Sequence, residues 1–140
     1  MKFDSVLEHV LLEEFDDNYR ASIAIVHDGD RWLLGLSTAK DDRHNKWCHP
    51  GGGIKKGESP EKAAERECYE ETGVKCRAVG KPFSHSSRKG IAFVPCKAKD
   101  HNNLEANSEF VALGFFTERE MRSLKLYDNV KDLIEKAKKC

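Results

Sequence analysis

No sign of charge dominates this 140-residue chain: Lys plus Arg and Asp plus Glu each number 24, so the formal net charge at pH 7 is zero. That removes the whole-molecule basic field by which a protein is held on nucleic acid or anionic lipid, and leaves only local patches. No apolar run approaches the length of a membrane span, and the opening Met1-Lys2-Phe3-Asp4-Ser5 lacks a secretory pattern. The five cysteines, Cys48, Cys68, Cys76, Cys96 and Cys140, are odd in number and include no CxxC pair. A disulfide framework and a zinc site at Cys48-His49 are therefore disfavoured, and a reduced, cytoplasmic compartment is expected. There is no internal repeat and no low-complexity tract. What is present, 39% hydrophobic residues, suffices for one core, so a single domain over 1–140 with no membrane partner is expected.

The hydrophobic pattern predicts an alternation of strands and helices. Phe3, Leu7, Val10 and Leu11 follow helical spacing, and an acidic connector covers Glu13–Asn18. Arg20–Val26 and Arg31–Ser37 read as a β-hairpin around Asp28-Gly29, with a loop longer than the tightest kind. Trp47–Gly57 holds too many glycines for a regular element. Ser59-Pro60 is a capping residue followed by proline at the first helical position, and Gly73 supplies a left-handed stop, so a helix is expected over Pro60–Thr72. Strands are expected at Val74–Val79, Ile91–Ala98 and Glu109–Phe116, with Phe83–Gly90 an exposed loop and Pro95 forcing an edge or a bulge. Thr117-x-x-Glu120 is a capping box, and Val130, Leu133, Ile134 and Ala137 form the apolar stripe of a last helix. This order indicates an α/β layered domain.

The helix at Pro60–Thr72 breaks a rule. At about 100° per residue, Glu67, Glu70 and Glu71 share one sector with the small or apolar Ala63, Ala64 and Cys68. The face fit to pack on a sheet thus carries three carboxylates. Glu67 and Glu71 repel at i,i+4, and Glu70 and Glu71 stand in the last turn, where the macrodipole disfavours anions. Arg66 can neutralise one of them; a divalent cation is the clearest compensation for the rest, and hard oxygen ligands suit Mg²⁺ or Mn²⁺.

The run Gly52-x5-Glu58-x7-Arg66-Glu67-Cys68-x-Glu70-Glu71-x-Gly73-Val74 resembles the Nudix box of the Nudix hydrolases, with Cys68 where that family usually has Ile, Leu or Val. At ordinary residue frequencies its fixed positions agree by chance on the order of once in 10⁹ windows. Trp47-x-x-Pro50-Gly51-Gly52 also resembles the family. The resemblance implies a Nudix-type α/β/α sandwich with a mixed β-sheet, its box forming a loop–helix–loop. It also implies hydrolysis of a pyrophosphate bond in a nucleoside diphosphate derivative with Mg²⁺ or Mn²⁺. By position, Glu67 and Glu71 correspond to metal ligands, Glu70 to a ligand or a carboxylate of the base network, and Gly51 to a backbone-carbonyl ligand. Arg66 and Glu58 correspond to positions that orient the catalytic helix. The general base stays open among Glu67, Glu70, Glu105 and Glu109, with Glu109 the first choice.

The box specifies the scissile bond and leaves the attached group open. Gly52, Gly53 and Lys55 are candidate phosphate contacts, because glycine lets backbone N–H groups approach anions. Phe83 and Arg88 are candidates for base or ribose, although for Phe83 a core contact is expected over stacking on a base. Marks of the ADP-ribose, dinucleoside-polyphosphate and coenzyme A subfamilies are missing or incomplete. By elimination a (d)NTP-type nucleotide pyrophosphohydrolase is expected, with an NDP-sugar, ADP-ribose or dinucleotide pyrophosphatase, or a non-catalytic nucleotide sensor, as alternatives. A small-molecule nucleotide is the expected partner and nucleic acid is disfavoured; a homodimer is compatible with the resemblance.

Overall fold

The computed structural model describes residues 18–99, 103–107 and 109–140; the expected N-terminal helix lies outside them. The β-branched run after Arg20 forms β1 (Ala21–Asp28), which turns into β2 (Arg31–Ser37). Pairing of His27 with Trp32 and Asp28 with Arg31 leaves a loop of Gly29 and Asp30 alone. The strand runs two residues past the apolar stretch, and the turn is tighter than expected because Gly29 adopts a φ of +65°. Short strands β3 (Trp47–Cys48) and β4 (Gly51–Gly53) follow. After them come α1 (Pro60–Thr72), β5 (Cys76–Ala78), β6 (Phe83–His85), β7 (Arg88–Ala98) and β8 (Phe110–Thr117). A 3₁₀ turn (Glu120–Ser123) and α2 (Val130–Lys138) complete the order.

The strands join in one mixed sheet, β3-β2-β1-β7-β5, with β4 on β1, β6 on β7 and β8 on β2. Its central pair, β1 and β7, is parallel from Ala21–Ile91 to His27–Lys97. Buried on both faces, these strands read as nearly continuous apolar runs. Ala24, Val26, Ala92, Val94 and Cys96 face α1 through Ala64 and Cys68, while Ile25 and Phe93 face α2 through Val130, Leu133, Ile134 and Ala137. A sheet between two helical layers is the α/β/α sandwich that the resemblance implied.

Three expectations change. The glycine stretch is partly a strand: β4 pairs antiparallel with Ala21–Ile23 of β1, a pairing close enough that a Cβ on Gly51 would collide with the Ser22 carbonyl oxygen. Residues 83–90 are a hairpin rather than an exposed loop, with His85 opposite Arg88 and Phe83 opposite Phe93. Pro95 is buried in the central strand β7. Its carbonyl accepts from Val79 N at 2.8 Å, so its missing donor faces that same side, where β5 has already ended at Ala78 and no ladder bond is needed. The capping box closes as expected: Thr117 N donates to Glu120 Oε1 at 2.8 Å and Glu120 N to Thr117 Oγ1 at 3.1 Å. The described cysteines are free thiols. Among the described residues no helix is long and apolar enough to cross a membrane.

Candidate active site

Helix α1 is set in place at both ends. Ser59 Oγ accepts from Lys62 N at 3.1 Å, a cap of about 1 kcal/mol, and Gly73, at a φ of +76°, returns its N–H to Tyr69 O at 2.9 Å. Ser22 Oγ donates to the Pro60 carbonyl at 2.8 Å and ties the helix start to β1. Glu65 Oε2 accepts from Ala78 N at 2.8 Å and ties its middle to β5. The orientation of the acidic face therefore follows from the sheet.

On that face the three carboxylates differ. Glu71 is buried, 7% exposed, and its Oε1 accepts from Gly51 N at 3.0 Å. Burial pushes its pKa up to about 8, opposed by that hydrogen bond and reinforced by the charges of Glu109 and Glu67. Glu67 is half-buried, and burial again raises its pKa; the Arg66 charge works against this, while Glu70 and Glu109 add to it. Its carboxylate lies against Gly52, where a Cβ would collide with Oε2. Glu70 departs from the sequence expectation: its side chain is 50% exposed and stands at the flank of the packed face.

Arg66 gathers the loop before the helix. Its guanidinium donates to Glu58 at 2.8 and 3.0 Å, to the Gly53 carbonyl at 2.9 Å and to Glu70 Oε1 at 3.1 Å, and lies 3.5 Å from Glu67 Oε2. That fork holds the Glu58 carboxyl down at about 2. Glu109, at the entry to β8, is brought beside the same carboxylates by Asn107, which accepts from Glu109 N at 2.7 Å and donates to the Glu70 carbonyl at 3.1 Å. Glu105 instead docks through its backbone N on Thr72 O at 2.8 Å, at the end of α1.

Next to the carboxylates opens a cavity of about 300 Å³, with Gly51 and Gly52 on the edge they share. Ile23, Ile91 and Leu133 give it apolar walls, and Arg88 and Tyr127 line it with Asp41, Asp42 and Arg43. The Arg88 guanidinium lies 4.5 Å from the Tyr127 ring centroid, Tyr127 OH donates to Asp42 Oδ2 at 3.2 Å, and Asp41 pairs with Arg43 at 2.8 Å. Of the candidate substrate contacts, Gly52 and Arg88 line this cavity and the other three stand elsewhere. Gly53 gives its carbonyl to Arg66, and Lys55 is exposed, its backbone N on Glu58 Oε1 at 3.0 Å. Phe83 stacks on Phe93 at 5.7 Å, in the core position expected over stacking on a base. Tyr127 and the Asp41–Arg43 loop were not legible as site residues, because each is brought in by folding from a segment without periodicity or a motif, and His49 was not, because it occupies an unspecified position of Trp47-x-x-Pro50.

The donor set suits a hard divalent cation: oxygen ligands only, one of them buried and raised in pKa by that burial. Among the described residues no three His, Cys, Asp or Glu side chains stand close enough to enclose an ion. The reason is visible in the contacts, since Glu67 and Glu70 are drawn to Arg66 while Glu71 is held on Gly51. Chemically these oxygen donors fit such an ion.

Gly51→Ala and Gly52→Ala separate packing from site geometry. At Gly51 the new methyl meets β1 backbone, and a loss of about 2 kcal/mol in unfolding free energy is expected. At Gly52 it meets only the flexible end of Glu67, so the melting temperature is expected to hold while kcat falls about tenfold or more. Thermal melts and steady-state rates on the pair check this; unchanged turnover in Gly52→Ala would remove the Glu67–Gly52 contact from the site.

The family profile described as "NUDIX domain" matches residues 17–137. The chain is 44% identical over 64 residues to an RNA pyrophosphohydrolase of Bartonella tribocorum, a match covering 41% of this chain and 37% of that protein. The chain thus spans little more than a third of the length of that relative. In fold it is similar to a NUDIX-family hydrolase from Clostridium perfringens, with a TM-score of 0.69, 16% identity and coverage of 86% of this chain and 96% of that one. It is also similar to the MutT protein of Methanosarcina mazei, with a TM-score of 0.65, 18% identity and coverage of 86% and 94%. With the profile running over most of the chain, and the box folded as a glycine strand, a capped helix and an acidic face, this protein belongs to the Nudix hydrolase family.

Proposed function

We propose that the protein hydrolyses a phosphoanhydride bond of a nucleoside 5′-triphosphate, with Mg²⁺ or Mn²⁺ held by Glu67, Glu70, Glu71 and the Gly51 carbonyl. The observation that carries this reading is the shared edge: Gly51 and Gly52 touch Glu71 and Glu67 on one side and line the 300 Å³ cavity on the other. A phosphate chain reaching from a nucleoside in that cavity runs over the glycines onto the acids. The cation supplies neutralisation of the phosphate oxygens and a lowered pKa for attacking water. The residues supply the rest. Glycine at 51 and 52 leaves the backbone open to phosphate; Arg66, locked to Glu58, holds the helix against the loop; Arg88 at the rim adds positive charge. Glu109 is the candidate acceptor of the water proton, standing near Glu67 and Glu71.

A second reading is carried by the local likeness to RNA pyrophosphohydrolases: the triphosphate belongs to the 5′ end of an RNA. The two share a scissile bond and differ in whether the first nucleoside ends the molecule or begins a chain. A screen of nucleoside triphosphates, NDP-sugars, dinucleotides and 5′-triphosphorylated RNA with Mg²⁺ or Mn²⁺ separates them. Pyrophosphate plus a nucleoside monophosphate is expected. Turnover confined to RNA selects the second reading, and AMP plus a sugar phosphate from an NDP-sugar overturns both. On the preferred substrate, Glu109→Gln is expected to lower kcat about 10²-fold; a wild-type rate would remove Glu109 from the mechanism.

A further inference from the structure

Two side chains that could cap the start of α2 are turned away from their own helix. Asn129, the N-cap residue, caps nothing with its side chain and holds a φ of +69°, in the left-handed region that residues other than glycine seldom enter. Its Nδ2 reaches instead to the tip of the β6–β7 hairpin and donates to Ser87 Oγ at 3.0 Å. Asp132 stands three residues on, where an acidic side chain can return to the N-cap N–H. Its Oδ2 lies 2.7 Å from His85 Nε2 at the same tip. Ser87 joins the two, with its Oγ 2.6 Å and its N 3.2 Å from His85 Nδ1. A backbone N–H only donates, so Nδ1 is the bare nitrogen and Nε2 carries the proton that Asp132 accepts. The hydrogen bonds therefore run one way, from Asn129 through Ser87 and His85 to Asp132, leaving α2 and returning to it. Cap residues used away from their helix, one of them with a strained backbone, break a local rule and call for a reason.

What these bonds fix is Arg88. It stands directly opposite His85 in the hairpin, so the two side chains leave the same face, and its guanidinium lies over the Tyr127 ring in the wall of the cavity. Of the two arginines there, Arg43 is neutralised by Asp41, whereas Arg88 meets the Asp128 carbonyl at 3.5 Å and no carboxylate among the described residues. Its charge is thus available to an anionic ligand. A long side chain that must be ordered by the ligand weakens binding, and one held in place beforehand does not. Resting on the nucleoside triphosphate reading above, we propose that Asp132, His85, Ser87 and Asn129 are positioning residues that hold Arg88 in the cavity wall for the anionic part of the substrate.

The nuclear magnetic resonance of the Arg88 side-chain Nε–H, identified by its loss in Arg88→Lys, reads that position without ligand, because the Tyr127 ring 4.5 Å from the guanidinium displaces it upfield. Asp132→Ala, which removes the acceptor, is expected to return the resonance to the range of exposed arginines. Asp132→Asn keeps an oxygen for the Nε2 proton and is expected to leave it in place. Both variants lose the same charge from the start of α2, so a weakened helix alone would act on both. Calorimetric titration with the α,β-methylene analogue of ATP and Mg²⁺ reads the consequence. Asp132→Ala and Arg88→Ala are each expected to weaken binding about tenfold. The double variant is expected to bind no worse than Arg88→Ala, since Asp132 acts through Arg88. A resonance unmoved in Asp132→Ala, the same movement in Asp132→Asn, or additive losses in the double variant would overturn the proposal. Failure of the wild type to bind the analogue would count against the nucleoside triphosphate reading, and the resonance alone would then decide whether Arg88 is held.

Discussion

Glu71→Gln is expected to lower kcat by about 10³-fold or more while the protein stays folded. The amide keeps an oxygen for the Gly51 N–H, so the contact between β4 and α1 is preserved. What is lost is the charge at the most buried position of the acidic face, where a cation gains most because water competes least. Without metal the Glu71 carboxyl holds its proton up to about pH 8, so the neutral amide replaces a largely neutral group and breaks no buried ion pair. Stopped activity with an unchanged or higher melting temperature is the expected signature, read by steady-state rates and thermal melts. Lost activity together with lost structure would make Glu71 a packing residue instead.

The second large effect is a dependence of metal-free stability on pH. The Glu71 carboxyl ionises near 8 in the folded protein against 4.5 ordinarily, so the folded state holds its proton more tightly than the unfolded state does. Its contribution is complete below about 4.5 and is lost as the pH rises through 8. His49 has the opposite sign: buried and neutral, with a folded pKa of about 4 against 6.5, it stabilises above 6.5 and loses that contribution as the pH falls towards 4. Between pH 6.5 and 8 the fall therefore belongs to Glu71 alone of the two. In chelator the melting temperature is expected to drop by about 5 °C across that window. Mg²⁺ or Mn²⁺ is expected to abolish the drop by stabilising the charged carboxylate, and Glu71→Gln to flatten it without metal. A slope that persists in the variant would assign it to other groups.

Much of the fold was legible from residue order alone, and the reasons are local. Helix α1 begins and ends where Ser59-Pro60 and Gly73 place it, because caps satisfy the orphan backbone groups of a helix end whatever lies beyond. The last helix buries the stripe Val130, Leu133, Ile134 and Ala137 for an equally local reason. The misreadings concern what the sheet imposes from a distance. The glycine stretch pairs as β4 because β1 offers it an edge, residues 83–90 pair as a hairpin because β7 offers them a partner strand, and Pro95 is tolerated centrally because β5 stops short. Glu70 shares the sector of the packed face by helical angle, but its side chain is half in solvent and pairs with Arg66. The acidic face announced itself by breaking a propensity rule. The cavity did not, since His49 joins Arg88 and Tyr127 only through the third dimension.

Whether the acidic face of α1 holds a divalent cation is decided by Mn²⁺ titration followed by electron paramagnetic resonance at neutral pH. At least one ion is expected to bind per chain with a Kd in the millimolar range or below, and that binding is expected to be lost in both Glu67→Gln and Glu71→Gln. No uptake at millimolar Mn²⁺, or uptake that survives both substitutions, would contradict the assignment of these carboxylates as metal ligands.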